Sequence, residues 1–207
     1  DRLRKVKNLV SCGAAVRVVS PDVRFELKKV IMNRQLEWIK REYAEGDLHG
    51  AFLAFAATND PAVQQMVKEE AEKYKILLNS ADDPVGSDFH IPAHFRRGRM
   101  LVTVSTGGCS PALSRQLRKW LEHEIGPEYE VVVGFLDLVR DAVVSGDNDS
   151  TANKDVFQNL LRSDIVKLIR EANWFDLQMV LLQELPGDID STELIRRFLD
   201  IYDKKQK

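Results

Sequence analysis

Two short segments concentrate the residue types that perform chemistry. Asn79-Ser80-Ala81-Asp82-Asp83-Pro84 sets two adjacent carboxylates behind an apolar stretch. Neighbouring carboxylates raise one another's proton affinity, which suits general acid–base work; the same pattern is also an ordinary Asp-Pro turn. Ser105-Thr106-Gly107-Gly108-Cys109-Ser110-Pro111 leads glycines and hydroxyls into a helix start. Backbone N–H groups free at such a start bind carboxylate or phosphate, and the competing reading is plain capping. A third candidate is Asp22, which follows a short β-branched stretch. A carboxylate there accepts hydrogen bonds from the ribose of a dinucleotide, with a turn-stabilising Asp as the alternative.

Other templates for chemistry are missing. The sequence has no Gly-x-Ser-x-Gly elbow, no phosphate loop ending in Gly-Lys-Ser/Thr, and no Gly-x-Gly-x-x-Gly fingerprint. Its first strand and glycine loop are expected upstream of Asp1. His90 and His94 stand four apart with Pro92 between them, so they are not paired ligands on a regular helix. Cys12 and Cys109 are too few for a disulfide framework or a Cys-x-x-Cys metal site, which fits a reducing cytosol.

The elements that would position these residues follow from hydrophobic period. Leu3, Val6, Leu9 and Val10 recur at helical spacing, and Gly13 reads as a C-cap. Ala15 to Ser20 is a strand ended by Pro21, Leu36 to Lys40 a half-buried strand, and Ala51 to Thr58 a strand apolar on both faces. Asp60-Pro61 is an N-cap and first helical residue, and Val63, Met66, Val67, Ala71 and Tyr74 make one helical face. Ile76 to Leu78 is a further short strand. This alternation predicts an α/β fold with a Rossmann-like parallel sheet. Met100 to Ser105 is one more strand, and Ser110-Pro111 opens a helix faced by Leu113, Leu117, Trp120 and Leu121. Beyond Gly126 the period is helical: Val131 to Val144, Val156 to Ala172, Trp174 to Leu185 and Thr192 to Tyr202, with Ser145 to Asn153 as a flexible loop.

Composition bounds the classes. With 207 residues, 44% hydrophobic and 30% charged, the chain can bury roughly 70% of its unfolded surface, and it is not a disordered polymer. The longest apolar run, Ala51 to Ala57, is far below the roughly 20 residues of a membrane span. The net charge of −2 argues against a nucleic-acid polycation. Charge is uneven, however. Phe89 to Leu121 holds six Lys or Arg (Arg96, Arg97, Arg99, Arg115, Arg118, Lys119) and no acid, whereas Glu122 onward holds ten basic against eighteen acidic residues. Such a cationic middle suits an anionic ligand; a solvated basic face is the simpler reading from charge alone.

Taken in order, the segments Arg4-Lys5, Cys12-Gly13-Ala14, Val18-Val19-Ser20-Pro21, Ala56-Ala57-Thr58-Asn59-Asp60, Asn79-Ser80-Ala81-Asp82 and Val104 to Arg115 resemble the precorrin-2 dehydrogenase and sirohydrochlorin ferrochelatase family of sirohaem synthesis. That family includes the front part of multifunctional sirohaem synthases. The resemblance spans about residues 1 to 125. Two departures are Asp1, where the family usually has Val, and Thr106, where many relatives carry Ser.

The resemblance implies NAD-linked oxidation of precorrin-2 to sirohydrochlorin in the cytoplasm and, in many members, insertion of ferrous or cobaltous ion. It implies a Rossmann domain over 1–95, a dimerisation unit over 96–125 and a helical domain over 126–207, in a homodimer. The family's key aspartate falls on Asp82, the candidate base, with water the other proton acceptor. Cofactor contacts fall on Pro21 and Asp22, then on Thr58 and Asn59. Ser105, Thr106, Gly107, Gly108 and Arg115 are the candidate substrate contacts, because precorrin-2 carries eight carboxylates that Arg can grip in pairs. No nucleic-acid or membrane partner is expected, nor a resident metal. The rival expectation is a dimeric module that senses nicotinamide cofactor without chemistry.

Overall fold

The computed structural model describes residues 2–81, 83–145 and 150–206. The chain divides into two compact units, Asp1–Ile91 and Pro92–Lys207.

The first unit opens with α1 (Arg2–Ser11), closed by Gly13 at φ +76°, where the Ala14 N–H reaches the Leu9 carbonyl at 3.1 Å. Two β–α–β crossovers follow, and a crossover helix is what lets sequential strands run parallel. β1 (Arg17–Val19) and β2 (Glu37–Ile39) pair in parallel around α2 (Phe25–Asn33). β3 (Leu53–Ala56) and β4 (Leu77–Ser80) pair in parallel around α3 (Pro61–Tyr74). The expected parallel α/β pattern is present; among the described residues it forms two strand pairs rather than one continuous sheet. α2 is an addition to the expected elements. It offers only Leu27 and Ile31, four apart, to the interior, and no side chain caps its start.

α3 begins as Asp60-Pro61 predicts: the Asp60 carboxylate accepts the N–H of Ala62 at 2.8 Å and of Val63 at 3.4 Å. A cap of this kind contributes about 1 kcal/mol. Val67 and Ala71 of α3 pack on Ala54 and Ala56 of β3 and on Ile76 and Leu78. Small alanines let the helix lie close to the strands. The 41–50 loop is pinned separately. The Asp47 carboxylate accepts two hydrogen bonds from the Arg41 guanidinium, and buried Glu70 accepts from the Tyr43 hydroxyl and the Gly46 and Leu48 N–H groups. Burial and that bond to Glu70 push the Tyr43 phenol well above its ordinary range.

In the second unit, β5 (Ala93–Arg97) and β6 (Met100–Val104) form an antiparallel hairpin. Gly98, at φ +56°, takes the first central position of its two-residue turn, where II′ hairpins favour glycine. β5 was not expected: Ala93 and Phe95 alternate with His94 and Arg96, but two apolar residues followed by Arg97 make too short a period to stand out. α4 (Pro111–Glu124) packs on this hairpin. The remainder is helical: α5 (Glu128–Val144), α6 (Ser150–Arg162), α7 (Ile165–Arg170), α8 (Trp174–Glu184) and α9 (Ser191–Gln206). Their core is Phe135, Val139 and Val143 of α5 with Leu160, Ile165, Leu177 and Leu181, all fully buried. Phe135 and Trp174 each meet Phe198 edge-on, at 5.1 and 5.6 Å.

Two expectations need correction here. The loop expected over Ser145 to Asn153 is helical from Ser150 onward, and the intervening residues 146–149 lie outside the described set. The single helix expected over Val156 to Ala172 is two, because Asp164 adopts a left-handed conformation at φ 52°. That kink turns Ile165 and Ile169 into the core, where one straight helix would have carried them around its surface.

Candidate functional site

Parallel pairing brings the carboxyl ends of β3 and β4 side by side, with Ala56 opposite Ser80. The ladder runs one residue further, because the Ala81 N–H reaches the Ala56 carbonyl at 3.0 Å. The loop after β3 and the turn after β4 therefore leave the same edge. In the first, the Thr58 hydroxyl accepts the Asp60 N–H at 3.1 Å, and the Thr58 carbonyl accepts from the Gln64 amide at 2.7 Å. Asn59 next to it is exposed. Thr58 thus shapes the loop and Asn59 is presented to solvent.

In the turn after β4, Asp82 lies outside the described residues. Its neighbour Asp83 is committed to the turn itself. Asp83 Oδ1 accepts the Gly86 N–H at 2.8 Å, and the Asp83 carbonyl accepts from Ser87 Oγ at 2.8 Å. Ser87 Oγ also accepts the Ser80 N–H at 2.9 Å, and the Asp88 carboxylate accepts the Leu78 N–H at 2.8 Å. Of the two adjacent carboxylates, Asp83 is therefore a turn-former, as one of the sequence readings allowed.

The same edge holds two buried polar residues absent from the candidate set. Lys5 of α1 is 7% exposed and donates to Asn79 Oδ1 of β4 at 3.0 Å. Asn79, also 7% exposed, donates to the Phe89 carbonyl at 2.8 Å. The signal for Lys5 was its position four residues before Leu9, on the inward side of α1, where a lysine is out of place.

Pro21 and Asp22 lie beyond β1, in the other strand pair, and both are exposed. The segment is fixed from behind: Ser20 Oγ donates to the Asp22 carbonyl at 2.6 Å, and the Trp38 indole donates to the Ser20 carbonyl at 2.9 Å. An exposed carboxylate on a braced loop after a parallel strand fits a ribose contact. The first turn of α1 holds no acid, so its N-terminal N–H groups suit a pyrophosphate. These residues fit a dinucleotide.

The remaining candidates belong to the second unit. Thr106 Oγ1 accepts the Ser110 N–H at 3.0 Å and lies 3.2 Å from Ser114 Oγ, while Ser105 Oγ accepts the Gly107 N–H at 3.2 Å. Ser110 caps α4 by accepting the Leu113 N–H at 3.2 Å. Gly107 and Gly108 hold positive φ, 60° and 86°, with open space where a Cβ would stand. The hydroxyls thus build and cap the loop, and the glycines leave its rim clear. Arg115 is exposed, its Nε donating to the Pro111 carbonyl at 3.2 Å. Half of the basic window has internal work: Arg97 donates to the Ile125 and Glu122 carbonyls at the end of α4, Arg99 pairs with Asp137, and Arg118 pairs with Glu122. Arg96, Arg115 and Lys119 are exposed.

Comparison with known proteins agrees with this layout. The family described as "Putative NAD(P)-binding" matches residues 3–93, and the family described as sirohaem biosynthesis protein central matches residues 97–124. A sirohaem synthase of Chromobacterium violaceum is 34% identical over 167 residues, covering 81% of this chain and 36% of that protein. One of Methylobacillus flagellatus is 33% identical over 182 residues, covering 86% and 39%. The chain spans well under half the length of these curated relatives. Among solved structures, SirC, a precorrin-2 dehydrogenase, superposes with a TM-score of 0.67 at 28% identity, covering 86% of this chain and 87% of that one. The chain therefore belongs to the sirohaem biosynthesis family, in the part that joins its NAD(P)-binding and central domains.

Proposed function

We propose that the chain is an NAD-dependent precorrin-2 dehydrogenase. The observation that carries this reading is the shared edge of β3 and β4, where the loop with Thr58 and Asn59 and the turn that begins at Ala81 leave the sheet together. Open α/β sheets bind their ligands at such an edge. The likeness to SirC over most of the chain supports the same reading.

Oxidation of precorrin-2 to sirohydrochlorin removes a hydride and a proton from the macrocycle. NAD, when bound, accepts the hydride. Asp22 holds the ribose hydroxyls, with Pro21 shaping its loop, and Thr58 and Asn59 border the nicotinamide end. Asp82 accepts the proton that leaves the macrocycle. The family likeness puts this task on Asp82, and its neighbour Asp83 is tied into its own turn. The rim of Ser105, Thr106, Gly107 and Gly108, with Arg115, receives substrate carboxylates.

The division of labour follows the expected domains: cofactor binding over 1–95, self-association over 96–125, and a helical domain over 126–207. Leu113, Leu117 and Trp120 of α4 are 46%, 36% and 57% exposed on one helical face, which supports a homodimer built on that helix. In a chelatase step, ferrous or cobaltous ion is the second substrate, and Asp82 accepts the pyrrole protons it displaces. Among the described residues no helix is long and apolar enough to cross a membrane, and the reading puts the enzyme in the cytoplasm.

The test combines the full-length protein, NAD and precorrin-2, following NADH formation and sirohydrochlorin absorbance. Stoichiometric NADH and sirohydrochlorin are expected. NAD binding without turnover would instead make the chain a cofactor-sensing module. Chelation is measured separately with sirohydrochlorin and each metal ion.

A further inference from the structure

Lys5 is an unusual tenant of an interior. An ammonium loses hydration on burial, and the loss is tolerable only where hydrogen bonds and favourable electrostatics replace water. Two of its contacts do so here. Lys5 Nζ donates to Asn79 Oδ1 at 3.0 Å and stands 5.2 Å from the centre of the Phe55 ring. Phe55 meets Phe89 edge-on at 5.4 Å, and the Phe89 carbonyl accepts from Asn79 Nδ2 at 2.8 Å. Lys5, Asn79, Phe55 and Phe89 thus form a closed ring of contacts. It joins the first turns of α1 to β3, to β4 and to the segment that returns after the 80–87 turn.

The position of this ring matters more than its stability. α1 presents its N-terminal end where a dinucleotide pyrophosphate is bound in folds of this class. Asn79 is the residue before the last of β4, and the turn carrying Asp82 begins two residues later. A neutral packing residue would join these elements as well as a lysine does, without the cost of burying a charge. A charge buried at this point constrains placement, since a charged hydrogen bond holds its partner in a more defined geometry than apolar contact.

We propose that Lys5 is a positioning residue: through Asn79, its buried ammonium fixes the end of β4 against the cofactor-binding end of α1. It sets where the turn with Asp82 stands relative to bound NAD. Lys5 does not touch substrate. The inference rests on the dehydrogenase reading above and names a residue outside its candidate set.

The experiment measures precorrin-2 oxidation by the full-length wild-type protein first, then by Lys5→Met, Lys5→Arg, Asn79→Leu and the Lys5→Met/Asn79→Leu double variant. Thermal midpoints and NAD affinity are recorded for each. In Lys5→Met, kcat falls on the order of 10- to 100-fold, the cost of a small misplacement of reacting groups, while KM for precorrin-2 changes by less than about threefold. Lys5→Arg, which keeps charge and donor, recovers most of kcat. The double variant is no slower than Asn79→Leu alone, because the two residues act as one unit. If Lys5→Met does not fold, the Lys5→Arg rate and the Asn79→Leu rate decide: a wild-type kcat in folded Asn79→Leu overturns the proposal. Wild-type kcat in folded Lys5→Met overturns it too, as does additivity in the double variant. An inactive wild-type protein instead removes the dehydrogenase reading, and this proposal with it.

Discussion

Ala81 donates its backbone N–H to the carbonyl of Ala56 at 3.0 Å, extending the β3–β4 ladder one residue past the end of β4. The turn carrying Asp82 is thereby anchored at its first residue to the strand whose loop carries Thr58. On the far side Asp83 is anchored by its own bond to the Gly86 N–H at 2.8 Å. Asp82→Asn is therefore expected to keep the fold and to bind NAD within about twofold of wild type. Its kcat should drop at least 100-fold, the ordinary worth of a positioned base. Wild-type turnover in this variant would remove Asp82 from the chemistry.

Asp22 serves a different step. It is exposed and its loop is held by Ser20 and Trp38 through backbone carbonyls, so its carboxylate is not needed for the fold. Asp22→Ala should leave the thermal midpoint unchanged and weaken NAD binding by about tenfold, the loss of one or two charged hydrogen bonds to ribose. Titration of NAD by calorimetry or fluorescence reads this directly. Unchanged affinity would assign Asp22 to the turn alone.

How far these features could be read in advance depends on whether they are local. Asp60-Pro61 and Ser110-Pro111 declare helix starts because cap and first residue are neighbours in sequence, and both carboxylate and hydroxyl cap as expected. Gly13 likewise announces the end of α1. α2 escaped because two buried residues four apart, Leu27 and Ile31, make too thin an apolar stripe to give a period. The break at Asp164 escaped because the hydrophobic pattern continues across it, and only backbone φ distinguishes one helix from two. The Lys5–Asn79 bond joins residues 74 apart, which no periodicity encodes. Its trace in the sequence was a lysine on the wrong side of an amphipathic helix. The basic window is legible only as a count of charges: which of them are occupied within the protein, as Arg97, Arg99 and Arg118 are, depends on partners distant in sequence or on fold geometry.

The exposed face of α4 leads to a prediction about assembly. Leu113, Leu117 and Trp120 recur at i, i+4 and i+7 and remain between 36% and 57% exposed. Covering the part of each that is still exposed is worth on the order of 1 kcal/mol. Light scattering should give a dimer for the wild-type protein and a monomer for Leu117→Glu/Trp120→Glu, with unchanged helical circular dichroism. A variant of wild-type mass would show that self-association uses another surface.

The 41–50 loop gives the fold a dependence on acid that can be isolated at one residue. The hydrogen bonds from Arg41, at 2.6 and 2.7 Å, hold the Asp47 carboxyl below the usual carboxylate range, assisted by the Ala44 N–H at 2.9 Å and opposed by burial. A carboxyl whose proton affinity is lower in the folded than in the unfolded chain stabilises the fold only while it is ionised. Its contribution is thus complete above the unfolded value near 4 and is lost as pH falls from there through the lower folded value. Asp47→Asn abolishes the charge but keeps the shape. At pH 7 it should lower stability by about 1–2 kcal/mol. Urea midpoints of the two proteins, measured at pH 7, 5 and 3, should stay apart at the two higher values and converge at the lowest. A separation that persists undiminished at pH 3 would mean that the Arg41–Asp47 pair does not titrate with folding.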